Sequence, residues 1–277
     1  MPPELTDAIE PIARLTRDLK QAAATLTATE ARFLVDAYYQ MQRDRIRASH
    51  QARTLAEAGE PHQVLGWLFD NTAVLERDIK RALGAYSQQQ PVGRWAESII
   101  GIGPVISAGL LAHLDIRKAP TVGHIWRFAG LDPTVVWAAG TKRPWNGALK
   151  RLCWIIGESF TKQSGHKDDF YGQIYLARKA QEETKNAAHA FAEQAAKSLA
   201  EKRWKGDTKT KAAYEDGVLP QARVHLRAQR YAVKLFLSHW QAVAYRAHYG
   251  TVPPKPYVIA QLGHAHEIQV PNYPWAE

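Results

Sequence analysis

From Leu34 to Leu55 one set of positions recurs at alternating intervals of four and three: Leu34, Tyr38, Met41, Arg45, Ala48, Ala52 and Leu55. That spacing stacks side chains on one face of an α-helix and fits no strand. A second run, Leu65, Leu68, Thr72, Leu75, Ile79, Ala82 and Tyr86, repeats it after the break Ala58-Gly-Glu-Pro61. Thr27-Ala-Thr-Glu30 has the form of a capping box and marks where the first helix begins. The two seams predict long antiparallel helices joined by a short turn, making residues 1–90 a coiled-coil-like arm. Arg45 and Thr72 are polar seam members, the kind that fixes register or oligomeric state in coiled coils. The arm either folds back as an intramolecular hairpin or pairs with a second copy as a homodimer through residues 27–87.

Beyond the arm the pattern changes. Gly93, Gly101, Gly103, Gly123, Gly130, Gly140, Gly147, Gly157 and Gly165 punctuate short apolar runs, which predicts short helices and tight turns over 91–165. Residues 166–277 form a third region. Helix is expected over 168–205, with breaks at Lys205-Gly-Asp and Gly217-Val-Leu-Pro220, and again from about Gln221 to Tyr249. The second half of that last helix is apolar on nearly all sides and reads as buried. A tail with Pro253, Pro254, Pro256, Pro271 and Pro274 drapes over the body. With no strand alternation and no internal repeat, the fold class is all-α, a long helical hairpin followed by a second helical region.

Charge is concentrated. The 277 residues carry 36 Lys+Arg against 27 Asp+Glu, a net +9; residues 142–165 and 221–234 hold +4 each, while the arm is slightly acidic. Basic segments poor in acids suit a phosphate backbone, because neutralised phosphates release counterions. Arg223, Arg227, Arg230 and Lys234 follow at intervals of four, three and four and share one helix face, where they repel one another unless a polyanion or buried acids relieve them. The single cysteine, Cys153, excludes an internal disulfide framework and a four-thiolate iron–sulfur cluster. No segment has the form of a signal peptide or a membrane span. A cytoplasmic, nucleoid-associated protein with no membrane partner and no cofactor is expected.

The segment Trp95-Ala-Glu-Ser-Ile-Ile-Gly101-Ile-Gly103-Pro-Val105 continues into Ile-Ser-Ala-Gly109-Leu-Leu, so that a helix, an apolar-Gly-apolar-Gly turn and a second helix follow one another. It resembles a helix-hairpin-helix element. The amides around Gly101, Gly103 and Val105 would then meet a phosphate oxygen at the positive end of the second helix. Such contacts carry no direct base information. Val105, Ala108 and Leu111 are expected to pack against Trp95 and Ile99.

Downstream come Ile125-Trp-Arg-Phe-Ala-Gly-Leu131-Asp-Pro133, the basic turn Gly140-Thr-Lys-Arg-Pro144, and Leu149-Lys-Arg-Leu152. In this order the elements resemble the C-terminal, helix-hairpin-helix domain of the DEDD-type insertion-sequence transposases, over roughly residues 95–165. The resemblance implies a nucleic-acid-holding domain, and it also implies two catalytic elements that are missing here. The family's RNase-H-like domain with four acidic metal ligands has no counterpart in the helical first ninety residues. Where the family places its nucleophilic serine, the chain reads Thr134-Val-Val-Trp137-Ala138-Ala139-Gly140. A methyl group attacks no phosphodiester. Thr134 and Thr141 are hydroxyls away from the matching offset.

Other constellations are weaker. His264, His266 and Glu267, with His239 and His248, have metal-ligand residue types without a complete ligand set. Asp168-Asp169 reads as a helix N-terminus before it reads as a Mg²⁺ pair. A glycosylase reading, with Asp115 or Asp132 as the acid, has no supporting motif. Trp126, Trp137, Trp145 and Trp154 interleave with Arg127, Lys142, Arg143, Lys150 and Arg151, an order suited to stacking on bases, with Trp145 the first to test.

The sequence therefore points to a transposase-related protein without catalytic or metal residues. It is expected to bind nucleic acid, DNA before RNA, through Gly101, Gly103, Val105, Lys142, Arg143, Trp145, Lys150, Arg151, Arg223, Arg227, Arg230 and Lys234. The alternatives are an active transposase or nuclease with unplaced catalytic residues, a structured-RNA-binding module, and a helical scaffold.

Overall fold

The computed structural model describes residues 16–59, 63–254 and 268–275. Among them are eleven α-helices, two short 3₁₀ turns and no strand, as an all-α reading requires. His264, His266 and Glu267 lie outside the described residues. None of the described helices is long and apolar enough to cross a membrane. The chain forms two compact units that divide between Gln90 and Pro91.

The first unit contains α1 (Arg17–Ala22), a 3₁₀ turn (Ala23–Thr25), α2 (Ala28–Glu57) and α3 (Gln63–Gln88). The capping box forms: the Thr27 hydroxyl accepts the Glu30 amide at 3.3 Å, and the Glu30 carboxylate accepts the Thr27 amide at 2.8 Å. α2 and α3 pack along their lengths, so the arm is an intramolecular hairpin. Each seam residue of α2 is at least partly covered, and Thr72, Ala82 and Tyr86 of α3 are buried. The polar seam members are satisfied inside the chain. Arg45 Nε donates to Glu76 Oε2, its Nη2 donates to Oε1 at 3.4 Å, and Gln42 adds a bond to Oε1 at 3.3 Å. The Thr72 hydroxyl donates to its own helix, to the carbonyls of Leu68 and Phe69. Arg45 thus fixes the register of α2 against α3, where an unpartnered buried charge would oppose any other alignment.

The second unit holds α4 (Pro91–Glu97), α5 (Pro104–His113), a 3₁₀ turn (Ile116–Lys118), α6 (Val122–Phe128), α7 (Gly147–Gln163), α8 (Phe170–Ala187), α9 (Ala192–Glu201), α10 (Lys209–Glu215) and α11 (Gln221–Tyr249). α11 packs against α4, α6, α7 and α8 and forms the centre of the unit. Its Phe236 meets the rings of Trp95 at 5.7 Å, Phe160 at 5.6 Å and Tyr171 at 5.3 Å, one from each of α4, α7 and α8. At the α7–α11 crossing a Cβ on Gly157 would lie 2.6 Å from Gln229 Cγ, so close approach requires glycine there. Where the sequence predicts one helix over 168–205, the structure breaks it between α8 and α9. The break lies at His189, in the left-handed region at φ 55°, with neither Gly nor Pro to signal it.

The segment 268–275 is tied to the body at Ile268, Pro271 and Asn272. Trp95 Nε1 donates to the Pro271 carbonyl at 2.8 Å, and Asn272 Nδ2 donates to the Ser98 carbonyl at 3.1 Å. His239, read from the sequence among possible metal ligands, is buried: Nε2 lies 2.9 Å from the Ile268 carbonyl and Nδ1 2.7 Å from the Tyr171 hydroxyl. A carbonyl only accepts, so Nε2 carries the proton and Nδ1 accepts from Tyr171. Burial pulls the imidazole pKa down to about 4 against the smaller, raising effect of Ile268. The unfolded chain takes up this proton near pH 6.5, the folded one only near 4, so the contribution of His239 is complete at neutral pH and declines as pH falls through that window. The loss reaches about 3 kcal/mol. Urea unfolding from pH 7 to pH 4 measures it, and His239→Gln flattens the dependence.

Candidate nucleic-acid interface

The turn between α4 and α5 carries Gly101 at φ +89°, and Gly103 caps α5 with Pro104 in its first turn. The Gly101 carbonyl accepts the Ser159 hydroxyl of α7 at 2.6 Å, and a Cβ at Gly101 would meet that oxygen at 3.1 Å. Trp95, Ile99, Val105 and Ala108 are buried together as their apolar spacing demands, and Leu111 is partly covered. The Val105 side chain belongs to the core, so only its amide remains to be offered to a ligand. Gly103 provides no side-chain cap for that first turn.

Between α6 and α7 runs a loop, residues 129–146, that brings cations and indoles together. Its turn at 138–141 closes by the Thr141 amide and hydroxyl donating to the Ala138 carbonyl at 3.2 and 2.8 Å, and Trp137 Nε1 donates back to the Thr141 carbonyl at 2.9 Å. Trp137 and Trp145 meet edge to face at 6.2 Å. The Arg143 guanidinium lies 5.6 Å from the Trp137 ring centre, and Lys150 Nζ lies 4.0 Å from that of Trp145. Trp145 is seated against Gly130, where a Cβ would come within 2.8 Å of its ring. Asn146 caps α7 by accepting the Leu149 amide at 2.9 Å, which fixes Lys150 and Arg151 on the first turn of that helix. Lys142, Arg143, Lys150 and Arg151 are exposed, as is Trp154 one turn further along α7.

The stripe on α11 divides. Trp126 of α6 donates its indole N–H to the Lys234 carbonyl at 3.1 Å, and Lys234 Nζ lies 4.0 Å from the centre of the same ring. Partial burial, followed by the charges of Arg230 and Arg143, holds Lys150 below the usual lysine range. Burial also lowers Lys234, with Arg230 adding to the shift and Asp132 opposing it. Arg230 of α11 is thus within electrostatic reach of Lys150, eighty residues before it in the chain, and of Lys234. Arg227 is differently placed. Its Nε donates to Glu182 at 2.6 Å, Arg178 holds the other carboxylate oxygen at 2.5 Å, and Glu182 is almost wholly buried. This is the buried acid that relieves the stripe. Arg223 donates to the Tyr214 hydroxyl at 3.2 Å.

The remaining sequence candidates fall elsewhere. Asp169 is the buried N-cap of α8 while Asp168 is exposed beside His166, and His248 packs its ring against Tyr249. Among the described residues no group of three or more His, Cys, Asp or Glu side chains is placed to hold a metal ion. Thr134 donates its hydroxyl to Asp132 at 2.8 Å, and hydrogen bonds from the Thr134 amide and hydroxyl hold that carboxyl below the usual carboxylate range, which makes it a weak base. Sequence reasoning missed Glu182. Its position one helical turn from Arg178 was the available signal, but its pairing with Arg227 is made by the fold.

Residues 94–154 match the family described as Transposase IS116/IS110/IS902, so a transposase-related stretch covers α4 through the first half of α7. No curated protein and no solved structure matches the chain.

Burial alone would raise the Glu182 pKa, but the hydrogen bonds and charges of Arg227 and Arg178 outweigh it and hold the carboxylate below its usual range. Its contribution is therefore present above the ordinary carboxylate pKa and is lost as pH falls below about 4. Glu182→Ala strands two guanidinium groups and should cost about 3–5 kcal/mol in urea unfolding at pH 7.

Proposed function

We propose that this chain is a non-catalytic nucleic-acid-binding protein, related to the transposases of mobile elements, that holds the backbone of DNA in preference to RNA. The observation that carries this reading is the set of cations held on indoles, Arg143 on Trp137, Lys150 on Trp145 and Lys234 on Trp126, with Arg230 within electrostatic reach of Lys150 and Lys234. Like charges so grouped repel unless an anion joins them, and the indoles hold the cations in place for that anion. The turn at Gly101 and Gly103, read as a helix-hairpin-helix, adds the Val105 amide as a phosphate donor. Ala138 and Ala139, where the related transposases carry their serine, support binding without strand transfer. Association with the nucleoid follows from this function.

A salt-titrated gel shift with a four-way DNA junction, linear duplex, single strand and RNA stem-loop, with Mg²⁺ present, tests the proposal. The expected result is retardation of junction or duplex that weakens steeply with salt and leaves the strands intact. The triple variant Lys142→Ala, Arg143→Ala, Lys150→Ala should lower the slope of log K against log salt by about 2–3. Absence of binding near 150 mM salt contradicts the reading, cleaved strands would make the chain an enzyme, and preference for the stem-loop would make it an RNA binder.

A second copy of the chain is the partner we propose for the arm. Val64, Trp67, Leu68 and Leu75 remain exposed along α3, although Leu68 and Leu75 belong to its apolar seam. Sedimentation should give a dimer that Trp67→Glu with Leu68→Glu converts to monomer, and a wild-type monomer at all concentrations would refute it.

A further inference from the structure

α9, α10 and the start of α11 build a small core of their own. Ala195, Tyr214, Leu219 and Val224 are buried in it, with Phe191, Leu199 and Trp204 packed around them. What this core supports is a loop, Lys202-Arg-Trp-Lys205, followed by Gly206 at φ +112°. Trp204 is the anchor: its indole N–H donates to the Leu199 carbonyl at 3.0 Å, and its ring meets Tyr214 edge to face at 5.9 Å. Lys202, Arg203 and Lys205 are exposed, and none makes an ion pair with a described residue. Lys202 Nζ lies 4.5 Å from the Trp204 ring centre. The same Tyr214 receives Arg223, so the loop and the first arginine of the α11 stripe share one aromatic support. Of the acids nearby, Glu201 pairs with Lys197, and Asp207 and Glu215 pair with Lys211, while Asp216 is exposed.

We infer that Lys202, Arg203 and Lys205, with Arg223, form a second phosphate-backbone contact, and that α11 sets its distance from the first. The inference rests on the DNA-binding reading above. Arg223 and Lys234 lie on one face of α11, about three turns and roughly 16 Å apart along its axis. Between them, Arg227 shares the buried Glu182 carboxylate with Arg178. Half a turn of B-DNA is about 17 Å, so a duplex lying along α11 brings one strand to Lys234 and Arg230 and the opposite strand to Arg223 and the loop. Duplex DNA is the partner this spacing fits.

The test is the triple variant Lys202→Ala, Arg203→Ala, Lys205→Ala in the full chain, compared with wild type on a 30-bp duplex and on an RNA stem-loop. These side chains are exposed, so an unchanged melting curve is expected. Binding to duplex should weaken at least tenfold at moderate salt, with the slope of log K against log salt falling by about 2–3, and hydroxyl-radical protection should vanish from one strand only. Wild-type binding with an unchanged slope in the variant overturns the second contact and leaves the DNA-binding reading standing. Loss confined to the stem-loop overturns the assignment to duplex DNA. Wild type that binds neither probe refutes the parent reading itself.

Discussion

Phe236 touches a ring from each of three other helices, and the second unit is arranged around that meeting point. Trp95 brings the α4–α5 turn, Phe160 brings α7, and Tyr171 brings α8. Aromatic pairs prefer offset or edge-on geometry, so four rings in one cluster fix helix orientation as well as contact. Once α7 is seated against α11 through Phe160 and Gly157, its first turn with Lys150 lies beside Arg230. Once α6 is tied to α11 through Trp126, the loop that follows it carries Trp137 and Arg143 to the same place. The cationic surface is a consequence of how the aromatic core is shared.

Charge on this surface is managed by pairing. Along α11, Glu182 ties Arg227 to α8, while burial and then the charges of Arg227 and Arg223 hold Arg230 below the usual arginine range. A carboxylate buried between two guanidinium groups is costly to break and rigid while intact. It ties α8 to α11. In the first unit Glu76 plays the corresponding part for Arg45, again joining two helices through one carboxylate.

The parts of this architecture that depend on near neighbours in sequence were legible there. The α2 and α3 seams, the Thr27–Glu30 capping box, the extent of α11 and the Gly101–Gly103 turn all follow from local spacing or from backbone conformations that glycine alone adopts readily. The break between α8 and α9 was not legible, because Ala188-His-Ala-Phe191 carries no Gly or Pro to mark the left-handed turn at His189. Nor could charge spacing tell Arg227 from Arg230, since 3.6-residue periodicity assigns a face and not the group that meets it. The loop at Lys202–Lys205 was hidden by averaging: acids elsewhere in 166–220 cancel its charge in a segmental count.

On the proposed function, cations far apart in sequence form one surface for one nucleic-acid molecule. Photo-cross-linking of the protein to a short bromouracil-substituted duplex, followed by peptide mapping, tests it most directly. Adducts are expected in peptides from residues 137–154 and from residues 223–234 on the same duplex, both suppressed by added salt. Adducts confined to the α2–α3 hairpin, or to one of the two segments alone, would contradict it.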